Sequence, residues 1–197
     1  MDSDHERSCD FGECADGRFL YFAYGSNLHP IRLAQRTPSC RTVGAATLSA
    51  HLLCFHKRSF VTGDGSGKCS VQASPRATDI VHGVVYDIAE SERALLDRAE
   101  GAGFGYQTVE LDVELKGRIC RVSSYSAHPD WVDDSLRPYD WYLALVVSGA
   151  RIHRLPASWI ECLQRVQDWR DPDRKRAADW LTVARARPGS RDEARPE

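Results

Sequence analysis

Apolar positions fall into two rhythms along this chain, strand-like in the first two thirds and helical in the last third. Arg18–Ala23 (RFLYFA) is an almost continuous apolar run of strand length. The chain then breaks into Gly25-Ser26-Asn27, and Pro30–Gln35 reads as a short helix with Pro in its first position and Pro38 beyond its end. Ala45–Phe55 and Ile80–Ile88 are rich in β-branched and aromatic residues and read as strands. The stretch between them, from His56 to Asp79, is dense in Gly and Ser and reads as a loop with at most one short strand. Ser91–Glu100 has helical spacing, with Ser91 as cap, Leu95 and Leu96 facing inward, and Gly101 as the stop. Tyr106–Leu115 and Arg118–Tyr125 form a hairpin that turns at Lys116-Gly117. Beyond Pro138 the spacing becomes helical over Tyr139–Gly149, Ala157–Gln167 and Asp173–Ala184. Strands first and helices last predict an α+β domain around a small barrel-like sheet.

Composition narrows the function classes. The 197 residues suffice for one sizeable core. A net charge of −2, from 26 basic and 28 acidic residues, gives no electrostatic reason to expect nucleic acid or an anionic membrane as partner. No apolar run approaches the roughly 20 residues of a membrane span. Residues 1–17 are polar and acidic and read as a flexible leader, 18–185 as a single domain, and 186–197 as a disordered tail. The leader lacks a basic n-region and an apolar stretch, so the expected compartment is the cytoplasm. Seven cysteines without a CxxC suggest neither a disulfide framework nor a zinc ribbon. Reduced, structural thiols are expected, with Cys54 and Cys120 as small hydrophobes inside apolar runs.

Several apparent motifs fail on spacing. Gly63-Asp64-Gly65-Ser66-Gly67-Lys68 resembles a phosphate-binding loop, but only three residues separate Gly63 from Gly67, and Cys69 stands where Ser or Thr belongs. The histidines form no HxxxH pair with a carboxylate partner, so no metal is expected. No GxSxG elbow surrounds Ser26. Two features survive. Gly25, Ser26 and Asn27, between a strand and a helix, point successive backbone amides outward, which suits a carboxylate or a developing oxyanion; Tyr24 adds a hydroxyl. Glu100 stands at a helix C-terminus, where the dipole disfavours an anion, and such placement raises a carboxylate's pKa toward that of a general base. A routine turn and a solvated surface Glu explain the same residues, and each feature alone leaves both readings open.

Together, these stretches resemble the γ-glutamylcyclotransferase family. The resemblance is carried by Tyr21-Phe22-Ala23-Tyr24-Gly25-Ser26-Asn27, Gly83-Val84-Val85-Tyr86, Glu100-Gly101, and the block from Tyr142 to Ala150 followed by Leu155-Pro156-Ala157-Ser158-Trp159. In order and spacing it covers roughly residues 19 to 165. It implies a small mixed β-barrel with flanking helices, and an enzyme that releases an amine or amino acid from a γ-glutamyl group as 5-oxoproline, a reaction tied to glutathione metabolism. It also implies a small-molecule γ-glutamyl substrate and no cofactor or metal. The site residues it implies are Glu100 as the catalytic carboxylate and Tyr21, Phe22, Ala23, Tyr24, Gly25, Ser26 and Tyr142 as substrate contacts. The chain departs from the animal enzymes in the spacing of Glu100 to Tyr106, and Tyr106 is assigned no role. The Gly-rich loop Lys57–Ser70 and the segment Trp131–Trp141 are expected to reshape the pocket and change the leaving group.

Asn27, in place of the Leu of YGSL-type turns, speaks against the glutathione-specific branch. The alternatives are a cyclotransferase specific for γ-glutamylamines, a non-catalytic module that binds a γ-glutamyl group or carboxylate, and, more distantly, a cysteine-based redox sensor. Trp159, Trp169 and Trp180 suit core positions better than an exposed pairing patch, and both monomer and homodimer stay open.

Overall fold

The short run Arg18–Ala23 becomes strand β1, and the rest of the main sheet closes around it. The computed structural model describes residues 17–59, 61 and 64–186. The expected leader and tail lie almost wholly outside the described residues.

Five strands form a closed barrel in the order β1, β5 (Ile80–Ala89), β2 (Arg41–Ser49), β6 (Tyr106–Leu115), β7 (Arg118–Ala127). β1 runs antiparallel to β5, with Tyr21 opposite Tyr86 and Phe22 opposite Val85. It meets β7 in parallel at Tyr21 and Ser123, and this pairing closes the barrel and makes it mixed. Ser124 Oγ donates to Phe22 O at 2.9 Å across the same seam. The β6–β7 hairpin turns at Lys116 and Gly117, which both take positive φ (52° and 76°). Phe22, Val84, Val85, Ile88, Val113, Leu115 and Val122 are buried in the core.

The structure departs from the sequence reading at several points. The expected strand Ala45–Phe55 is two strands, β2 and β3 (His51–Arg58), broken at Ala50, whose φ of 54° cannot continue an extended strand. β3 leaves the barrel and pairs with β4 (Gly67–Ala73), a seven-residue strand inside the expected loop, to form a separate ribbon. Helix α2 (Arg93–Glu100) is preceded by a 3-10 turn at Glu90–Glu92, so Ser91 does not cap it. Leu96 is fully buried, whereas Leu95 is 46% exposed, because neighbours 100° apart on a two-turn helix cannot both meet a narrow core. Gly101 ends the helix with φ 69°, and its N–H bonds back to Arg98 O.

The other helices are α1 (Pro30–Ala34), α3 (Asp140–Ile152), α4 (Ala157–Gln164) and α5 (Arg174–Arg185). α3 is the most buried of them and stacks on α5 through Trp141 and Trp180, 5.8 Å between ring centroids. Trp141 Nε1 donates to the buried Asp171, which also receives two bonds from Arg176. Trp159 and Trp180 pack on the core as expected, but Trp169 is 39% exposed. Among the described residues, no helix is long and apolar enough to cross a membrane.

Candidate active site

After β1 the chain passes through Tyr24 and Gly25 into a 3-10 turn, Ser26–Leu28, and then α1. Leu28 N–H donates to Gly25 O (2.9 Å) and His29 N–H to Ser26 O (3.2 Å). The amides of Gly25, Ser26 and Asn27 donate to no protein acceptor among the described residues, and all three residues line a narrow recess of about 20 Å³. Glycine at position 25 is a matter of close approach. A Cβ there would stand 2.9 Å from Cys69 Cβ and 3.3 Å from Tyr142 Oη, so β4 and α3 press directly onto the turn.

Glu100 reaches the recess from the end of α2, its side chain 15% exposed. Asn27 Nδ2 donates to its Oε1 at 2.9 Å, and Arg36 makes a short ion pair to the same oxygen. Arg36 also donates to Asn27 Oδ1 (2.9 Å), so turn, arginine and carboxylate form one triangle. Every bond to the carboxylate goes to Oε1; Oε2 meets no protein donor among the described residues. A carboxylate held by one oxygen and open at the other is geometrically ready for proton exchange with a guest.

The rest of the recess is phenolic. Tyr21 Oη accepts from Asn27 Nδ2 (2.9 Å), and Tyr24 donates to Tyr125 O in a short bond. Tyr106 donates to Cys69 O (2.6 Å), Tyr142 Oη accepts from Cys69 N–H (3.1 Å), and Tyr125 donates to Asp97 (2.7 Å). Burial pushes the pKa of all five phenols up, with the Glu100 charge adding to it, so they stay protonated at neutral pH. Burial also pushes the Cys69 thiol up to about 12, which leaves it a thiol and a poor nucleophile. Glu100 is the one carboxylate among the residues that line this recess.

The recess opens into a chamber of about 210 Å³, and Ser26, Glu100, Tyr106 and Tyr142 border both. The chamber walls come from α1 (Arg32), the residue Arg36 beyond it, the ribbon (Lys57, Lys68), the Gly-rich segment (Asp64) and the α3–α5 stack (Trp141, Trp180). Lys68, which gave the Gly-rich segment its phosphate-loop look, lies in β4 and is bound to Asp64 (2.9 Å) and Ser66 (2.6 Å). Arg32 Nε donates to Ser26 Oγ at 3.0 Å, and its guanidinium lies 4.1 Å from the centre of the Trp180 ring.

Of the residues singled out in the sequence, Tyr21, Tyr24, Gly25, Ser26, Tyr142 and Glu100 converge on the recess. Phe22 and Ala23 do not line either space; both are fully buried, and the Phe22 ring packs where a Cβ on Gly83 would lie. Tyr106, left without a role, borders both spaces. Sequence reasoning missed Arg32, Arg36 and Tyr125, and it singled out Asn27 for its backbone amide without its side-chain bond to Glu100. Arg32 and Arg36 carried a usable signal, since their i, i+4 spacing right after the turn places two cations on one side of a short helix.

Comparison with known proteins agrees with this fold. Residues 80–163 match the AIG2-like family. The chain is 31% identical over 166 residues to bovine γ-glutamylcyclotransferase, covering 81% of this chain and 85% of the bovine one. It is 32% identical over 158 residues to the human protein of that name, covering 76% and 79%. A solved structure titled γ-glutamyl cyclotransferase superposes with a TM-score of 0.75 at 27% identity, over 84% of this chain and 98% of that one. With its mixed barrel, its glycine turn and the carboxylate facing it, the chain belongs to the γ-glutamylcyclotransferase family of enzymes.

Proposed function

We propose that this enzyme cyclises a γ-glutamyl compound to 5-oxoproline and releases the attached amine or amino acid, with Glu100 as general base and then general acid. The observation that carries this reading is the Glu100 carboxylate, tied through Oε1 and open at Oε2, beside the unpaired amides of Gly25, Ser26 and Asn27. The reaction needs no nucleophile from the protein, because the substrate's own α-amine attacks its γ-carbonyl carbon. Glu100 Oε2 takes a proton from the α-ammonium, the new C–N bond closes the ring, and the bond to the leaving nitrogen breaks as Glu100 returns the proton to it. The ring nitrogen loses its second proton, and the released amine gains one, by exchange with water. The free amides suit an oxygen that carries or develops negative charge, and Tyr21, Tyr24 and Tyr142 frame the chain in its folded approach. Pinning a flexible chain in a near-attack geometry contributes on the order of 7–11 kcal/mol in favourable cases.

Glu100→Gln is the test. Release of 5-oxoproline from γ-glutamyl-alanine should fall by about 10²–10⁴-fold with the fold retained by circular dichroism. Near-normal turnover would remove Glu100 from the role. A binding module that merely captures a carboxylate needs the amides but gains nothing from a second anion at the same recess, so its ligand would bind more tightly to the Gln variant while no product formed in either protein.

A further inference from the structure

The outer chamber carries more positive charge than the reaction uses. Five cations (Arg32, Arg36, Lys57, Lys68 and Arg176) line it against two carboxylates, Asp64 and Glu100. Arg36, Lys68 and Arg176 are each tied to a carboxylate, respectively Glu100, Asp64 and Asp171. Arg32 is not. It is 8% exposed, and among the described residues its one hydrogen bond runs from Nε to the neutral Ser26 hydroxyl, while its buried Nη1 meets no acceptor. Burial and the nearby Arg36 lower its pKa to about 10, which still leaves it cationic at neutral pH. A buried guanidinium nitrogen without an acceptor costs free energy that an incoming anion recovers. The Trp180 face beneath it and the Trp141 ring beside it supply apolar wall for a methylene stem.

We infer that the leaving group is an amino acid with an acidic side chain, and that Arg32 Nη1 is the specificity-determining donor to that side-chain carboxylate. The inference rests on the cyclisation reading above and refines it. Any amino acid leaving group brings one α-carboxylate, and the chamber as a whole favours further negative charge. The recess, by contrast, is only about 20 Å³ and already holds the Glu100 carboxylate, so the extra carboxylate belongs in the outer chamber. A guanidinium also offers the flat two-point donor geometry that a carboxylate matches best.

The test compares γ-glutamyl-glutamate with γ-glutamyl-glutamine, a pair alike in shape and different in charge, on the wild-type enzyme. The acidic substrate should have a kcat/KM about ten- to a hundredfold higher, with the difference mainly in KM and shrinking as ionic strength rises. Arg32→Met should bring the ratio of the two substrates close to one, and Arg32→Lys should restore part of it. If both substrates yield 5-oxoproline equally well, or glutamine is preferred, the acidic leaving group is wrong and the cyclisation reading stands. If neither yields 5-oxoproline, the acidic leaving group is wrong, and the cyclisation reading falls as well only if γ-glutamyl-alanine and a γ-glutamylamine also yield none. A folded Arg32→Met enzyme that keeps the wild-type ratio removes Arg32 as the anchor. The wild-type comparison decides the leaving group whether or not the variant folds.

Discussion

The recess and the outer chamber share a border of four residues but are built in opposite ways. In the recess, uncharged phenols are fixed by bonds to backbone, Asn27 or Asp97, and a single carboxylate is left with an open oxygen. In the chamber, charged side chains from four separate parts of the chain meet, and one nitrogen of the Arg32 guanidinium lacks an acceptor among the described residues. On the proposed reading, the difference makes reaction and selection separable in this fold. The recess draws most of its lining from the barrel and its first turn, with Cys69 of β4, Glu100 of α2 and Tyr142 of α3, whereas the β3–β4 ribbon and the C-terminal helices supply much of the chamber wall. If Glu100 moves the proton as proposed, changes to the ribbon can alter what is released without touching it.

The largest effect should come from Glu100→Gln, and it should be the same for every substrate. If an acidic and a neutral γ-glutamyl compound lose about 10²–10⁴-fold alike, the recess acts on chemistry alone. Unequal losses in 5-oxoproline assays would show that the two regions are not independent.

Acid should loosen the turn that both regions share. His29 directly follows the 3-10 turn and has no exposed surface. Burial, with help from the nearby His153 and Arg32, lowers its pKa from 6.5 to about 4. Between those values the unfolded chain binds a proton that folded His29 refuses. Stability is therefore fully present above about pH 6.5 and falls by about 3 kcal/mol as pH drops through this window to 4. Urea titrations of the wild type and His29→Leu at several pH values read this out as a difference in slope. Equal slopes would remove His29 from the acid response.

Gly149→Ala probes the scaffold instead. A Cβ at this position on α3 would lie 2.5 Å from Leu28 C and 2.6 Å from His29 N, both backbone atoms that cannot step aside. The variant should lose about 1–3 kcal/mol in chemical denaturation, through overpacking between α3 and the turn. Its remaining activity should keep the wild-type order of leaving groups. A changed order would mean that the position of α3 also sets selectivity.

The barrel was legible because its strands obey local rules: β1, β5 and the β6–β7 hairpin all appear as apolar or alternating runs bounded by turn residues. The ribbon was not. β4 reads GKCSVQA, with little β-branched or aromatic content, and it is a strand because β3 pairs with it, a tertiary cause that propensity does not carry. Leu95 misled because a two-turn helix has room for little more than one buried position. At the site, the turn and Glu100 were visible as separate oddities. Arg36 was not, since its role depends on reaching across 64 positions to Glu100. The expected electrostatics of Glu100 considered only the dipole of its own helix, while the structure answers that negative end with the guanidinium of Arg36 and the amide of Asn27.

The subtlest probe is Tyr142, which borders both regions. Its hydroxyl accepts from Cys69 N–H at 3.1 Å and so fastens α3 to β4, the ribbon strand that also carries Lys68. Tyr142→Phe removes that acceptor with almost no change in shape, and leaves a buried amide unpaired. The expected cost is about 1–3 kcal/mol of stability, at the lower end if water reaches the site. If Tyr142 serves only to fasten the two elements, kcat/KM for acidic and neutral leaving groups should fall together, by less than for any variant above. If the phenol also contacts the glutamyl chain in the recess, KM should rise for both substrates while their ratio stays put. A ratio that shifts toward the neutral substrate would instead show that Lys68, displaced with β4, shares the selection with Arg32, and the boundary between the two regions would have to be redrawn through the ribbon.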